Sequence, residues 1–184
     1  MNRYCVFLRG INVNGVSIKM EALQEAFRSI GYPDAKTVLA TGNVIVALED
    51  GVDIRAHKAK IDTGLSNTFS YDAHVLLRSE GEITALLEAA GRVTIPDGCH
   101  LYALLIEEPD VLITLKEAFS KASRGQDEQF IPLGKDAFWT VPKGDTLKTE
   151  FAAKVLGNKR FRSVLTSRNV NTLQKVADLM GKRP

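Results

Sequence analysis

Two clusters of arginine, asparagine and glycine are the parts of this sequence of 184 residues best suited to binding chemistry. The first occupies residues 9–15 (RGINVNG), between a predicted strand and a predicted helix, and Lys19 lies where that helix begins. Guanidinium and amide groups hold carboxylates or phosphates by directed hydrogen bonds, and a helix N-terminus adds N–H donors and a partial positive charge. The cluster therefore predicts an anion site with the candidate ligand-binding residues Arg9, Gly10, Asn12 and Lys19. A structural turn of Asn and Gly, with Ser17 capping the helix, is the alternative interpretation.

The second cluster, Ser167–Thr172, reads S-R-N-V-N-T and precedes a predicted C-terminal helix. Asn169 or Asn171 is suited to the N-cap position, whereas Arg168 is unfavourable beside the positive end of a helix dipole. An anion held between the guanidinium and the helix N-terminus would explain that arginine, and plain solvent exposure at negligible cost is the alternative. The candidate ligand-binding residues of this cluster are Arg168, Asn169, Asn171 and Thr172.

A third, weaker element is Thr41-Gly42-Asn43, which lies between two predicted strands. It adds Gly42 and Asn43 to the candidate ligand-binding residues. Gly and Asn also adopt the left-handed conformations of tight turns, so a hairpin turn or a β-bulge is the alternative interpretation.

Patterns for metal binding or nucleophilic catalysis are not found. His57, His74 and His100 are far apart in the sequence, and none of the His–Glu or Cys spacings that hold zinc is present. There is also no phosphate-binding glycine-rich loop and no nucleophile elbow. We therefore predict no metal site and name no cofactor and no catalytic residue. Cys5 and Cys99 lie in or beside apolar segments, which favours buried, reduced thiols.

The elements that must position these residues follow the order β-α-β-β-α-β in the first half of the chain. A continuous apolar run at residues 4–8 predicts a buried strand, and apolar residues spaced three or four apart over 20–30 predict a helix that ends at Gly31. The remaining elements of this unit are a short strand at 37–39, a strand at 44–48, a helix over 54–69 and a strand at 73–77.

The same order begins again after a helical patch at 82–90 and a turn at Pro96-Asp97-Gly98. The second unit has predicted strands at 101–106, 130–133, 137–141 and 163–166, and predicted helix faces at Leu112–Ala122 and Phe151–Leu156. A last helix runs from about 170 to 180 and ends at Gly181.

This repeated order predicts an α+β fold with two ferredoxin-like βαββαβ units in tandem, in which antiparallel sheets carry helices on one face. The predicted organisation is an N-terminal unit at 1–80, a connecting helix and turn at 81–99, and a C-terminal unit with the terminal helix at 100–184. In this topology the first and third strands are central. Pro132 falls in a predicted edge strand, which tolerates its missing N–H donor. A single mixed α+β domain is the alternative.

Composition places the chain among folded globular proteins, because 45% of its residues are apolar and 25% are charged. The apolar runs are about as long as strands, and no secretory signal is visible, which predicts a cytoplasmic protein without a membrane partner. The net charge of +2 hides an asymmetry, since residues 1–142 sum to −5 and residues 143–184 to +7. This basic end could face an anionic partner or dock on the acidic body of the protein.

Taken together, the three polar elements resemble the bacterial family catalogued as domain of unknown function 1697. Members commonly show L-R-G-I-N-V-G-G, S-G-N-V and R-N-W-N-T. The matching residues here are Leu8–Asn12 with Gly15, Gly42–Val44, and Arg168, Asn169, Asn171 and Thr172. Two departures are Asn14, where a glycine is usual, and Val170, where a tryptophan is usual. The resemblance implies a small bacterial cytosolic α+β protein of ferredoxin-like character, and it implies no reaction.

The function favoured by these residues is a binding module for a small anionic or phosphorylated ligand, held at a polar site of Arg, Asn and Gly between the two units. Nucleic-acid binding is the first alternative: an RNA could contact the sheet face, with Tyr102 and the Phe138-Trp139 pair, and the basic C-terminal segment. An enzyme of unknown reaction is the second alternative, for which Tyr4, Ser17, Lys19 and Thr41 are available side chains. Oligomeric state is left open.

Overall fold

A computed structural model describes residues 1–9, 17–123 and 125–182. Within these residues the strands are β1 (Asn2–Arg9), β2 (Lys36–Val38), β3 (Asn43–Leu48), β4 (His74–Ser79), β5 (Cys99–Ile106), β6 (Gln129–Leu133), β7 (Asp136–Pro142) and β8 (Leu165–Asn169). The α-helices are α1 (Met20–Ser29), α2 (Ile54–Phe69), α3 (Glu80–Ala90), α4 (Pro109–Lys121) and α5 (Val170–Met180). None of the helices in these described ranges is long and apolar enough to cross a bilayer.

The strands form two four-stranded antiparallel sheets with the orders β2-β3-β1-β4 and β6-β7-β5-β8. In each sheet the first and third strands of the unit are central, and the second and fourth lie at the edges. This is the strand order of the ferredoxin-like fold, so the predicted fold class is confirmed. Pro132 lies in the edge strand β6, where the ladder does not need its missing N–H.

The core of the first sheet follows the two-residue period of its strands. Val6 and Leu8 of β1 and Val44 and Val46 of β3 point to one face. On that face they pack against α1 and α2, whose buried residues are Leu23, Ala26, Phe27, Ile61 and Leu65. Side chains on one face recur every 3.6 residues along a helix and every second residue along a strand. Each element therefore presents one apolar face to the same core.

Local capping explains where three of the helices begin or end. At the end of α1, Gly31 has a φ of 97°, and the Tyr32 N–H bonds to the Phe27 carbonyl oxygen in a Schellman motif. Asp53 begins α2, because its side chain accepts the Arg55 N–H at 2.9 Å. At α3, the Ser79 N–H donates to Glu82 Oε2 and the Glu82 N–H donates to Ser79 Oγ, which is a capping box.

Gly64 of α2 packs against Ile30, the C-cap residue of α1. A Cβ atom at this position would lie 2.5 Å from Ile30 Cγ2, which is far inside van der Waals contact. Gly64→Ala is therefore expected to lower the free energy of unfolding by about 1 kcal/mol, since overpacking outweighs the better helix propensity of alanine. Gly81→Ala is the matched control in α3, where nothing lies within 4 Å of the added Cβ. Urea denaturation of both variants tests this prediction, and a stabilised Gly64→Ala variant would contradict it.

The second unit has the same order but replaces its second helix by irregular turns. Residues Ala152–Leu156 form a π-helical turn and Lys159–Phe161 a 3-10 turn, where the sequence pattern predicted a helix face at Phe151–Leu156. Phe151, Ala152 and Val155 are buried as that pattern requires. The Gly157 N–H bonds five residues back to the Ala152 carbonyl oxygen, so the wider turn absorbs an extra residue before the chain turns away.

By its internal contacts the chain divides into two compact units, Met1–Thr84 with Gln174–Pro184, and Ala85–Leu173. The last part of α5 thus groups with the first unit. There the Arg3 guanidinium donates to the carbonyl oxygens of Met180 and Lys182. A cation at these carbonyls complements the negative end of the helix dipole.

Candidate functional site

Arg9 lies at the end of β1 and is half-buried. Its register partner on β4 is His74, one of three histidines that are far apart in the sequence. His74 Nε2 in turn lies 3.1 Å from Asp72 Oδ2. Only strand pairing brings this histidine beside the arginine, and no local signal in the sequence indicates it.

The β2–β3 hairpin lies beside Arg9 at the same end of the sheet. The Leu8 N–H donates to the Gly42 carbonyl oxygen at 2.8 Å, and Gly42 has a φ of 69°. Leu39, at the other end of this turn, has a φ of 57° and remains 42% exposed. A left-handed conformation costs a non-glycine residue about 1 kcal/mol, so the hairpin stores local strain beside the candidate site.

Asn43 is fully buried and donates two hydrogen bonds to residues of this hairpin. Its Nδ2 donates to the Val38 carbonyl oxygen at 3.0 Å and to Thr41 Oγ1 at 2.8 Å. The amide therefore holds the turn closed and positions Gly42, and these two bonds occupy its donor side.

Helix α1 begins at the end of the unit where β1 ends. Both β1 and β2 are antiparallel to β3 and hence parallel to each other, so the connection through α1 leaves from the end of the sheet where Arg9 lies. The N-cap is Lys19 rather than the expected Ser17. Lysine has no acceptor, so the first N–H groups of α1 must find partners beyond the N-cap residue. The candidates Gly10 and Asn12 lie outside the described residues.

The second cluster spans the end of β8 and the start of α5 in the second unit. The Arg168 guanidinium donates to Thr166 Oγ1 and to the Ser167 carbonyl oxygen, both at 2.8 Å. Asn169 Oδ1 accepts the Asn171 N–H at 2.9 Å, which is the N-cap bond expected for Asn169. Asn171 is exposed and Thr172 is half-buried. The N-cap residue of this helix therefore makes a side-chain cap bond, whereas Lys19, the N-cap residue of α1, makes none.

The aromatic residues proposed for nucleic-acid stacking lie inside the second unit. Trp139 belongs to the core with α4, and Phe138 points to the opposite face, as expected for adjacent residues of a strand. Trp139 is 0% and Phe138 is 1% exposed. Tyr102 packs partly against the same core as Trp139. Bases cannot stack on the buried rings of Trp139 and Phe138, whereas Tyr102 is half-buried.

The tyrosine and cysteine side chains with clear pKa shifts are held in their neutral forms by burial. Burial raises the pKa of Tyr71 to about 12, with a smaller contribution from the carboxylate of Asp62. Burial also raises the pKa of the Cys99 thiol and of the Tyr32 hydroxyl, which is hydrogen-bonded to His57 Nδ1 at 2.8 Å. Cys5 and Cys99 are both buried, and neither is in a disulfide. An activated nucleophile needs the opposite shift.

The described ranges contain no group of three or more His, Cys, Asp or Glu residues arranged to hold a metal ion. The polar groups described at this end of the first unit are the Arg9 guanidinium, the neighbouring His74–Asp72 pair and the Asn43 amide of the hairpin. This set can bind an anion by charge and directed hydrogen bonds.

Comparison with known proteins gives a family and a fold. The family described as "Protein of unknown function (DUF1697)" matches residues 1–138, a range that contains the first two motifs, while the third lies beyond it. A solved structure described as the conserved bacterial protein SP0830 from Streptococcus pneumoniae covers 99% of both chains at 20% identity, with a TM-score of 0.73. At this identity the likeness shows the fold alone. No curated protein matches the sequence.

Proposed function

Since the chain belongs to the family of proteins of unknown function DUF1697, whose name carries no activity, we propose a function from the site: binding of a small anionic or phosphorylated ligand at the end of the first unit. Arg9 and Lys19 are the direct contacts in this proposal. Gly42 lets the backbone come close to the ligand, and Asn43 holds Gly42 in position.

The observation that carries the proposal is the N-terminus of α1. A ten-residue helix begins there with a lysine at its N-cap and no side-chain cap from that residue, at the end of the sheet where Arg9 terminates β1. Lys19 offers no acceptor to the first N–H groups of α1, and the helix dipole and the cations Arg9 and Lys19 favour negative charge. The N-terminus of α5 is capped by Asn169. The case for an anion at a helix N-terminus is therefore weaker beside Arg168 than beside Arg9.

Strain in the neighbouring hairpin supports the same location. Leu39 is exposed and left-handed, although nothing in its side chain favours that conformation. Strained, exposed turns cluster at binding sites, where the surrounding structure holds them in place. Here the Asn43 bonds to Val38 and Thr41 hold the turn.

Arg9→Ala is expected to weaken binding of a phosphate-bearing ligand by about tenfold or more, because it removes charge-assisted hydrogen bonds worth about 1.5–3 kcal/mol. The measurement is thermal shift with inorganic phosphate, pyrophosphate and a panel of nucleotides at constant ionic strength. A ligand at a hundred times its Kd stabilises the folded protein by about 2.7 kcal/mol, which is a shift of several degrees. Lys19→Ala should show a smaller loss.

Arg55→Ala is the matched control, because it removes an exposed arginine from the first turn of α2 with the same change in net charge. Arg168→Ala, measured in parallel, tests the second cluster separately. Stabilisation that persists unchanged in both Arg9→Ala and Lys19→Ala would contradict the proposed site. If ligand stabilisation fell equally in Arg55→Ala, the loss in Arg9→Ala would be due to net charge rather than to a specific contact.

A further inference from the structure

The first unit contains a cavity of about 870 Å³, which is within the size range of small-molecule sites. It lies where β1 begins, and its lining residues all belong to this unit. Arg3 lines the cavity, whereas Arg9 ends the same strand. At about 3.3 Å per residue along a strand, the cavity is about 20 Å from the proposed anion site, so the two are separate.

Strand register builds an apolar floor for this cavity between two cations. Ile45 and Ala47 are two residues apart on β3 and therefore point to the same face of the sheet. This face is opposite to the one that packs on α1 and α2, because the intervening Val46 belongs to the core with those helices. Lys36 of β2 lies directly across from Ile45, and Arg3 of β1 lies directly across from Ala47. The two cations therefore flank the floor on its own face.

The end of α5 forms a wall beside this floor. Leu179, Met180 and Gly181 line the cavity. The Arg3 guanidinium holds this end of the helix in place, because it donates to the carbonyl oxygens of Met180 and Lys182. Leu179 is 42% exposed, so an aliphatic group in the cavity would remove apolar surface of both wall and floor from water.

Charged side chains of both signs stand at the rim of the cavity. Lys36, Asp34 and Glu80 line it and are exposed. Within the part of the chain that the structure describes, their side chains make no hydrogen bond or ion pair, whereas Lys58 of α2 is paired with Asp62. The rim therefore offers one cation and two carboxylates that a ligand can reach from solvent without breaking an existing contact.

We propose that this cavity binds an aliphatic α-amino acid. Lys36 holds its carboxylate, Asp34 or Glu80 holds its ammonium group, and its side chain covers the apolar floor and Leu179. A simple anion is a poorer fit because it would face the two carboxylates, and a simple cation would face Lys36 and Arg3. A zwitterion forms charge-assisted hydrogen bonds with groups of both signs at once.

The experiment titrates the isotope-labelled full chain with L-leucine up to about 50 mM, well above a millimolar Kd, and follows the backbone amide resonances by NMR. We expect saturable shifts at the lining residues, of which Lys36, Ala47 and Gly181 represent the rim, the floor and the wall. Isocaproate lacks the ammonium group of leucine and isoamylammonium lacks its carboxylate. Each should bind at least about tenfold more weakly, since each loses a charge-assisted hydrogen bond. Glycine, without the aliphatic chain, should lose about as much.

Variants of the lining test each contact. Lys36→Gln should bind leucine at least about tenfold more weakly, and Lys60→Gln is the matched control, since that lysine is exposed on α2 of the same unit. Asp34→Asn and Glu80→Gln identify the carboxylate that takes the ammonium group, and at least one of them should show a similar loss. Ala47→Phe covers the floor at an exposed strand position, where an aromatic residue is well tolerated, and should abolish the saturable shifts.

Several results would overturn the proposal. They are the absence of a saturable shift with leucine, binding of isocaproate or isoamylammonium as tight as that of leucine, and unchanged affinity in Lys36→Gln, in folded Ala47→Phe, or in both carboxylate variants. Arg9→Ala should leave leucine binding unchanged, because Arg9 lies at the other end of β1. A loss of leucine binding in that variant would contradict the location, so the two proposed sites are tested independently.

Discussion

Trp139→Ala is expected to lower the free energy of unfolding by about 3–5 kcal/mol, the largest effect of any single substitution considered for this protein. The side chain is 0% exposed in the second unit. Its ring centroid lies 5.7 Å from those of Tyr102 and Phe151. Truncation would remove these contacts and leave a cavity that the surrounding rings cannot fill, because interiors relax only partially.

The hydrogen bond to Glu128 adds a second penalty. Without the indole N–H, neither oxygen of this buried carboxylate has a donor in the described part of the structure. Trp139→Phe isolates this contribution, since it keeps most of the aromatic volume and removes the donor. We expect it to cost about 1–3 kcal/mol.

Urea denaturation followed by far-ultraviolet circular dichroism measures both variants, because the fluorophore is lost. Phe130→Leu provides a control in the same aromatic cluster, where the ring is only half-buried. A loss below about 1 kcal/mol in Trp139→Ala would contradict the packing described for this core.

Asn43→Ala is expected to cost about 2–3 kcal/mol, the second largest effect. The substitution removes two hydrogen bonds from a residue that is 0% exposed, and it leaves the Val38 carbonyl oxygen without the amide donor. An unsatisfied buried acceptor costs more than the net value of the bond itself, which is why the expected loss exceeds that of a typical surface substitution.

Asn43→Asp sharpens the test, because it keeps the shape of the side chain and replaces the NH2 donor by an oxygen. It should destabilise at least as strongly as alanine at neutral pH. Thr41→Ala is the control, since it removes only the second of the two partners and should cost about 1 kcal/mol. Equal stability of Asn43→Ala and the natural protein in urea would show that the hairpin does not depend on this amide.

The Asn43 variants also separate positioning from contact in the proposed anion site. The amide does not need to touch a ligand for its loss to matter, because it holds the turn that carries Gly42 beside Arg9. We therefore expect Asn43→Ala to weaken phosphate binding together with stability. Arg9→Ala should weaken binding with little change in the unfolding midpoint without ligand.

The sequence predicted those elements best whose local pattern and packing agree. Helix α2 begins and ends as predicted, because Asp53 caps it and Ile61 and Leu65 repeat at helical spacing on a buried face. The segment 151–156 was predicted as a helix, but it forms a π-helical turn. An α-helix and a π-helical turn both bury these apolar residues, so the spacing of apolar residues alone does not distinguish the two conformations.

Strand β8 illustrates a different limit. Ser167-Arg168-Asn169 is polar and resembles a loop leading into a helix, yet it completes an edge strand opposite Tyr102, Ala103 and Leu104. The backbone of an edge strand needs a partner for its hydrogen bonds rather than an apolar side chain. That partner strand, β5, lies far earlier in the sequence, so no local window contains the signal.

By itself, the sequence determined the order of the elements, the strands that lie at the centre of each sheet and the apolar faces that form the two cores, because period and burial are properties of neighbouring residues. The tertiary structure decided which polar groups meet. It placed His74 opposite Arg9, turned the Asn43 amide inward, and paired the buried Glu128 carboxyl with the Trp139 indole. These relations depend on strand register and on contacts between distant segments, and such contacts leave no periodic trace in the chain.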